Sequence, residues 1–185
     1  FVRVLQEQGV RYVYSHCLFN NEVHIFEQNF PDEHLFKYQE FKARVSDVLG
    51  VSLQNIAIVG SAKMGFSLTP GRSYEPFDED SDLDLIIVCP ALFRELWGGY
   101  FDYINSFTGR SYSDIAKGVF RHFVSVKAEE VVGDQLQYFQ SWIDKVDGLR
   151  LQLQLEFKLP MEINYRVYED WKYVDKYHMS GLSQL

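Results

Sequence analysis

Two aspartates stand at the start of a very apolar run, in the segment SDLDLIIV. Side chains two residues apart on a β-strand point to the same face, so Asp82 and Asp84 would bring their carboxylates together. Leu83 and Leu85 would point the other way, towards a core. Two carboxylates held together repel each other, and a divalent cation relieves that repulsion. Because hard oxygen ligands suit Mg²⁺ or Mn²⁺, the pair predicts a metal site.

A glycine and a serine, Gly60 and Ser61, end another apolar run in the segment NIAIVGS. Glycine lets the backbone approach a ligand closely, and the N–H groups and hydroxyl of such a turn can hold phosphate oxygens. Lys63 could also contact a phosphate, although a surface lysine is the plainer interpretation. The alternative interpretation of the two aspartates is that their charges protect an edge strand from aggregation. The turn and the aspartates together favour a site for a Mg²⁺-bound nucleoside triphosphate.

The Gly-Ser turn followed by an Asp-hydrophobic-Asp strand resembles the signature of the DNA polymerase beta-like nucleotidyltransferase superfamily. The chain looks like one of its compact members. In that superfamily the turn holds the triphosphate, and two aspartates bind Mg²⁺ together with a third carboxylate from a later strand. The resemblance implies that Gly60 and Ser61 bind phosphates and that Asp82 and Asp84 are catalytic metal ligands. It also implies that the third carboxylate activates the attacking hydroxyl.

The segment MEINYRVY supplies a candidate for that third carboxylate, Glu162. On a strand, Glu162, Asn164 and Arg166 share one face, so Glu162 could be a metal ligand or base and Arg166 could reach a phosphate. Glu156 is the rival candidate, although it falls on the polar face of its own predicted strand. A plain edge-strand glutamate, or one paired with Lys158 or Arg166, explains Glu162 equally well.

The reaction that the resemblance implies moves a nucleoside monophosphate, from ATP or another triphosphate, to an acceptor hydroxyl on a protein, an RNA end or a small molecule. The segment from Ala62 to Ser81 is longer than the motif needs, and could be a lid, a partner surface or a disabling insertion. A catalytically weak or inactive nucleotide-binding module acting through a protein partner is therefore the alternative. A cyclic-oligonucleotide synthase of the same superfamily is a further alternative, and the short C-terminal region counts against it.

Composition limits the remaining possibilities. The 185 residues, 46% of them hydrophobic, suit a single domain with a real core, in which residues 1–30 form a cover or extension. The net charge of −8 argues against binding a long nucleic acid. No apolar run has the length of a membrane span, so we expect no membrane contact and a cytoplasmic protein. The chain begins at Phe1 and can be a fragment of a longer protein.

The pattern of apolar residues predicts the α/β class, with a mixed β-sheet and helices packed on it. Residues 1–30 suggest two short extended pieces, as a hairpin or an irregular cover. Strands are predicted over NIAIVGS, LDLIIV, LRLQLQLEF and MEINYRVY. Helices are predicted over PDEHLFKYQEFKARVSDVLG, ALFRELWGGYFDYINSF, residues 111–126, DQLQYFQSWIDKV and EDWKYVDKYHMSGLSQL.

Overall fold

A four-stranded mixed sheet organises the molecule. The structure is a computed structural model, and it describes residues 1–69, 71–72, 74–78, 80–106, 118, 120–126 and 136–185. Its strands lie in the order β1–β2–β4–β3, with β2 and β4 parallel and the two outer pairs antiparallel. The strands are β1 (Ile56–Val59), β2 (Leu83–Val88), β3 (Phe123–Val124) and β4 (Ile163–Tyr168).

Eight α-helices of the described part accompany this sheet, which confirms the predicted α/β class. A π-helical turn at Tyr14–Leu18 follows the second helix, and a 3₁₀ turn at Leu53–Asn55 precedes β1. None of the described helices is long and apolar enough to cross a membrane. The helices are α1 (Val2–Gln8), α2 (Val10–Val13), α3 (His24–Asn29), α4 (His34–Leu49), α5 (Ser61–Met64), α6 (Pro90–Asn105), α7 (Leu136–Phe157) and α8 (Trp171–Leu182).

The sheet separates two apolar layers, and strand alternation decides which residue enters which layer. Leu83, Leu85 and Ile87 enter the larger layer, which also contains side chains of α4, α6 and α7. Ile86 and Val88 enter the smaller layer, with residues of α8 and the π-helical turn. Asp84 follows the same alternation as Ile86, so its carboxylate lies on the face that α8 covers.

The prediction of a strand over LRLQLQLEF is wrong, because this segment is the second half of α7. Leu149, Leu153 and Phe157 are buried at a spacing of four, whereas Leu151 and Leu155 are 54% and 83% exposed. When leucines occupy every second position, every other leucine is four residues from the next. Residues four apart lie on one face of a helix, so the alternating pattern also fits a helix. In the sheet, β4 lies between β2 and β3.

Two other predictions need correction. Residues 1–30 contain helices α1 to α3 and the π-helical turn, so the extended pieces predicted there are wrong. Within these residues, Ile25 and Phe26 of α3 are buried in the larger layer. The helix predicted over residues 111–126 lies mostly outside the described residues, and near its end Phe123–Val124 forms β3 instead of a helix.

Candidate functional site

A cleft of about 970 Å³ opens on the α8 side of the sheet. This volume is typical of sites that enclose a small ligand. One wall comes from the long segment between α5 and β2, and another from α8 with residues 120–122. Five residues predicted from the sequence line this cleft, whereas Lys63 and Glu162 do not; the five are Gly60, Ser61, Asp82, Asp84 and Arg166.

The turn after β1 lies directly against one of the two aspartates. Val59, the last residue of β1, is the register partner of Asp84 on β2. Gly60 follows with φ +74°, a left-handed conformation that favours glycine. A Cβ atom at Gly60 would lie 3.1 Å from Asp84 Oδ2, closer than such contacts normally are. A glycine is therefore needed here both for its backbone conformation and for the close approach of the carboxylate.

The carboxylates of Asp82 and Asp84 each meet a polar side chain of β4. The side-chain amide of Asn164 donates a hydrogen bond to Asp82 Oδ2 at 2.9 Å. Arg166 Nη2 lies 2.8 Å from Asp84 Oδ1, and only about a quarter of each side chain is exposed (25% and 21%). The parallel register causes these contacts, because it sets Asn164 beside Asp84 and Arg166 two residues further along the same face.

Burial and charge fix the protonation of two cleft residues. Burial is the largest single influence on the pKa of Arg166 and lowers it, but the charge of Asp84, the tyrosines Tyr168 and Tyr177 and the hydrogen bond to Asp84 together outweigh burial. The pKa is therefore raised, and the guanidinium stays charged. Burial, and then the positive charge of Arg166, lowers the pKa of His178 to about 3. The buried Nε2 of His178 has no hydrogen-bond partner among the described residues. The cleft therefore combines a permanent cation with a neutral imidazole.

Sequence reasoning missed the cations and rings on the α8 side of the cleft. The guanidinium of Arg121 lies 5.4 Å from the ring centre of Tyr177, and the ammonium of Lys176 lies 5.9 Å from that of Tyr173. His122 stacks on Tyr173 with 3.7 Å between ring centres. Neither Arg121 nor Lys176 forms an ion pair with a described residue. The spacing of Tyr173 and Tyr177, four apart on a predicted helix, was the available signal.

The structure does not bring Lys63 to the cleft. Its side chain is only 4% exposed, so it is not a surface lysine either. The ammonium donates hydrogen bonds to the main-chain oxygens of Asn20 and Glu22 and to the side-chain oxygen of Asn20. Desolvation by burial lowers the pKa of Lys63 to about 8. A phosphate in the cleft would meet the turn that precedes Lys63, not its ammonium.

Neither candidate for a third carboxylate reaches the cleft. The Glu162 side chain is 54% exposed, and its Oε1 lies 4.0 Å from a guanidinium nitrogen of Arg150. Glu156 lies on α7 and pairs with Arg44 of α4 at 3.0 Å. The strand β4 itself contains no carboxylate, and its residues beside the aspartates are Asn164 and Arg166. The structure thus brings together two carboxylates of the triad that the resemblance implies.

Two sets of the described residues offer ligand types that could hold a metal ion. Asp82 and Asp84 offer carboxylates, and proteins commonly bind Mg²⁺ through one or two carboxylates while phosphates and water supply the other ligands. Elsewhere, Glu22, Glu27 and His34 place their ligand atoms within 4.8 Å of one another. His34 already lies 2.9 Å from a carboxylate oxygen of Glu22, which explains that second set as an ion pair.

No protein-family model matches the chain, and comparisons with curated proteins and with solved structures find no significant match. The superfamily resemblance therefore rests on the residues from the Gly-Ser turn to β2, and on nothing outside the chain.

Proposed function

We propose that the cleft binds a Mg²⁺-bound nucleoside triphosphate and transfers its nucleoside monophosphate to an acceptor hydroxyl. The acceptor oxygen would bond to the α-phosphorus, the bond to the β-phosphate would break, and the hydroxyl proton and pyrophosphate would leave. The observation that carries the proposal is the contact between the Gly60 turn and Asp84. It joins a backbone suited to phosphate with a carboxylate suited to a cation, within one cleft.

Each cleft residue has a part in this proposal. The turn at Gly60 and Ser61 would hold phosphate oxygens, and the carboxylates of Asp82 and Asp84 would hold the cation. A bound divalent cation would neutralise negative charge on the triphosphate. Catalysis of this kind consists mainly of positioning and charge neutralisation. We extend the proposal to the fold, as a nucleotidyltransferase-like core.

The α8 side of the cleft supports a polyanionic ligand. Arg121 and Lys176 line it, and neither forms an ion pair with a described carboxylate. Positive charges of this kind attract phosphates, and nearby aromatic rings offer faces on which a base can stack. The α8 side of the cleft is therefore locally basic, although the net charge of the whole chain is negative. A protein, an RNA end and a small molecule remain the acceptors to be tested.

A second candidate function is nucleotide binding without turnover. Two observations favour it: Glu162 lies outside the cleft, and Arg166 already neutralises Asp84 at 2.8 Å. A guanidinium in that position competes with a cation for the same carboxylate. In this alternative the protein would bind the nucleotide and act through a partner.

Turnover with labelled nucleotides distinguishes the two candidates. The protein is incubated with Mg²⁺ or Mn²⁺ and each of the four α-³²P-labelled triphosphates, with total RNA or unfolded protein as acceptor. Transfer of label that disappears in the double variant Asp82→Asn, Asp84→Asn supports the enzyme. Glu162→Gln is the matched control, and it should retain turnover. Binding of nucleotide without label transfer supports the second candidate. If the protein is folded but neither binds nucleotide nor transfers label, both candidate functions are contradicted.

A further inference from the structure

Lys63 is the one charged residue that is buried among the residues that the structure describes. Burial of a charge is costly unless hydrogen bonds or opposite charges compensate it. The compensation here is unusual, because the three donors of the ammonium meet two main-chain oxygens and one amide oxygen, all from Asn20 and Glu22. No carboxylate oxygen of a described residue forms a hydrogen bond or an ion pair with it. The lysine therefore joins two stretches of backbone rather than forming an ion pair.

One of those stretches is the turn of the candidate site. The amides of Lys63 and Met64 both donate to the carbonyl of Gly60, at 3.2 and 3.1 Å, and the amide of Gly65 donates to the carbonyl of Ser61 at 2.8 Å. The four-residue helix α5 is thus bonded to the turn that precedes it. A side chain that fixes α5 also fixes the orientation of the Gly60 carbonyl and the adjacent amides.

The other stretch belongs to the N-terminal part of the chain. Asn20 and Glu22 lie between the π-helical turn and α3, and the ring of His24 packs against Gly65 at the end of α5. A Cβ atom at Gly65 would lie 3.0 Å from that ring. Residues 20–24 therefore enclose α5 from the side on which Lys63 is buried, while Gly60 on the other side faces Asp84.

We propose that Lys63 is a positioning residue of the nucleotide site, which holds the Gly60–Ser61 turn in its phosphate-binding conformation by bonding α5 to residues 20–22. This inference rests on the proposed function. It makes the N-terminal cover a working part of the site, although Lys63 never touches the ligand. It also gives a role to a lysine that lies two residues after Ser61 and does not reach the cleft.

The test measures the affinity for Mg²⁺-tripolyphosphate, a probe of the phosphate turn that does not depend on a nucleobase. Lys63→Met should weaken binding about tenfold, the factor expected if the turn holds its competent conformation about a tenth of the time. Lys63→Arg keeps the charge and the donors, and should restore most of the affinity. Lys42→Met is the matched control, because it removes a partly buried lysine of α4 that lies outside the cleft and should bind like the wild type.

Folding is controlled separately. Binding is measured under conditions in which urea titration shows that each variant is fully folded. If Lys63 contributes only to stability, its substitution leaves the affinity unchanged under these conditions. Asn20→Ala, which removes one of the three acceptors, provides a milder variant with an intermediate expected loss. Equal affinities for the wild type, Lys63→Met and Asn20→Ala would overturn the proposal.

Hydrogen exchange separates this inference from the proposed function. Without ligand, Lys63→Met should speed the exchange of the amides of residues 63–65, and Lys42→Met should not. If the wild type does not bind the probe, the proposed function fails, and so does the assignment of Lys63 to a nucleotide site. Faster exchange would then show only that Lys63 fixes the turn, and unchanged exchange would overturn that as well.

Discussion

Acidification should destabilise the protein through His178, by an amount that follows from its position. Burial, and then Arg166, lowers the pKa of this imidazole to about 3, whereas the unfolded chain has the ordinary value of 6.5. Between these values the unfolded chain binds a proton that the folded protein does not. The free energy of unfolding therefore falls as the pH falls through this window. Each pH unit inside the window changes it by about 1.4 kcal/mol, and from pH 7 to pH 5 the loss is about 2 kcal/mol.

The assay compares urea unfolding of the wild type and His178→Phe at pH 7 and pH 5, followed by tryptophan fluorescence. Phenylalanine keeps a ring between Phe19 and Tyr177, whose centres lie 5.8 and 5.1 Å away. All other titrating groups cancel in the comparison. The wild type should lose about 2 kcal/mol more than the variant.

His34 provides a control of opposite sign. Its hydrogen bond to the Pro31 carbonyl, and then its contact with Glu22, raises the pKa of His34 above 6.5. Its contribution to stability is thus present in acid and is lost as the pH rises. His34→Phe should not reduce the acid loss. Equal acid losses, within about 0.5 kcal/mol, in the wild type and His178→Phe would refute the reasoning about His178.

Three further predictions concern the turn, the aspartates and the buried lysine. Gly60→Ala should lower the free energy of unfolding by about 1–2 kcal/mol, because the added Cβ would meet Asp84 and the backbone at residue 60 has φ +74°. Unchanged stability in urea unfolding would contradict this. Arg166→Met removes the 2.8 Å ion pair with Asp84 and should lower the free energy of unfolding by about 2 kcal/mol. If Asp84 binds the cation, millimolar Mg²⁺ should restore part of that loss, and no recovery in thermal unfolding would count against the metal role. Burial lowers the pKa of Lys63 from 10.5 to about 8, so the wild type should gain stability relative to Lys63→Met as the pH rises from 8 to 10.5. A difference in the free energy of unfolding between the two proteins that does not change with pH would contradict this.

The central elements of the fold were predictable from sequence because their patterns are local. The strands β1, β2 and β4 correspond to apolar runs bounded by turn residues. The helix α4 ends just before Gly50, whose left-handed conformation favours glycine. The strand prediction for LRLQLQLEF was wrong for a physical reason. Its alternating apolar residues include a set spaced four apart, which also fits a helix, and only packing against α4 decides that the segment continues a helix.

The candidate site was predictable in part. The turn and the two aspartates could be found because each lies beside a strand whose direction fixes its side chains. The position of Glu162 depended on the path by which β4 enters the sheet, which no local pattern contains. The burial of Lys63 was not predictable for a similar reason, since its acceptors belong to Asn20 and Glu22, which are distant in sequence.

Calorimetric titration with a non-hydrolysable Mg²⁺-nucleoside triphosphate tests the central claim most directly, because it requires neither an acceptor nor turnover. The wild type and Glu162→Gln should bind one of the four α,β-imido-triphosphates, in which the bond that transfer would break is blocked, with the same affinity. Chelation of Mg²⁺ should abolish that binding. The double variant Asp82→Asn, Asp84→Asn should bind at least about tenfold more weakly, since a factor of ten corresponds to only about 1.4 kcal/mol. Equal binding by that double variant and the wild type, or binding that does not depend on Mg²⁺, would contradict the assignment of the two aspartates.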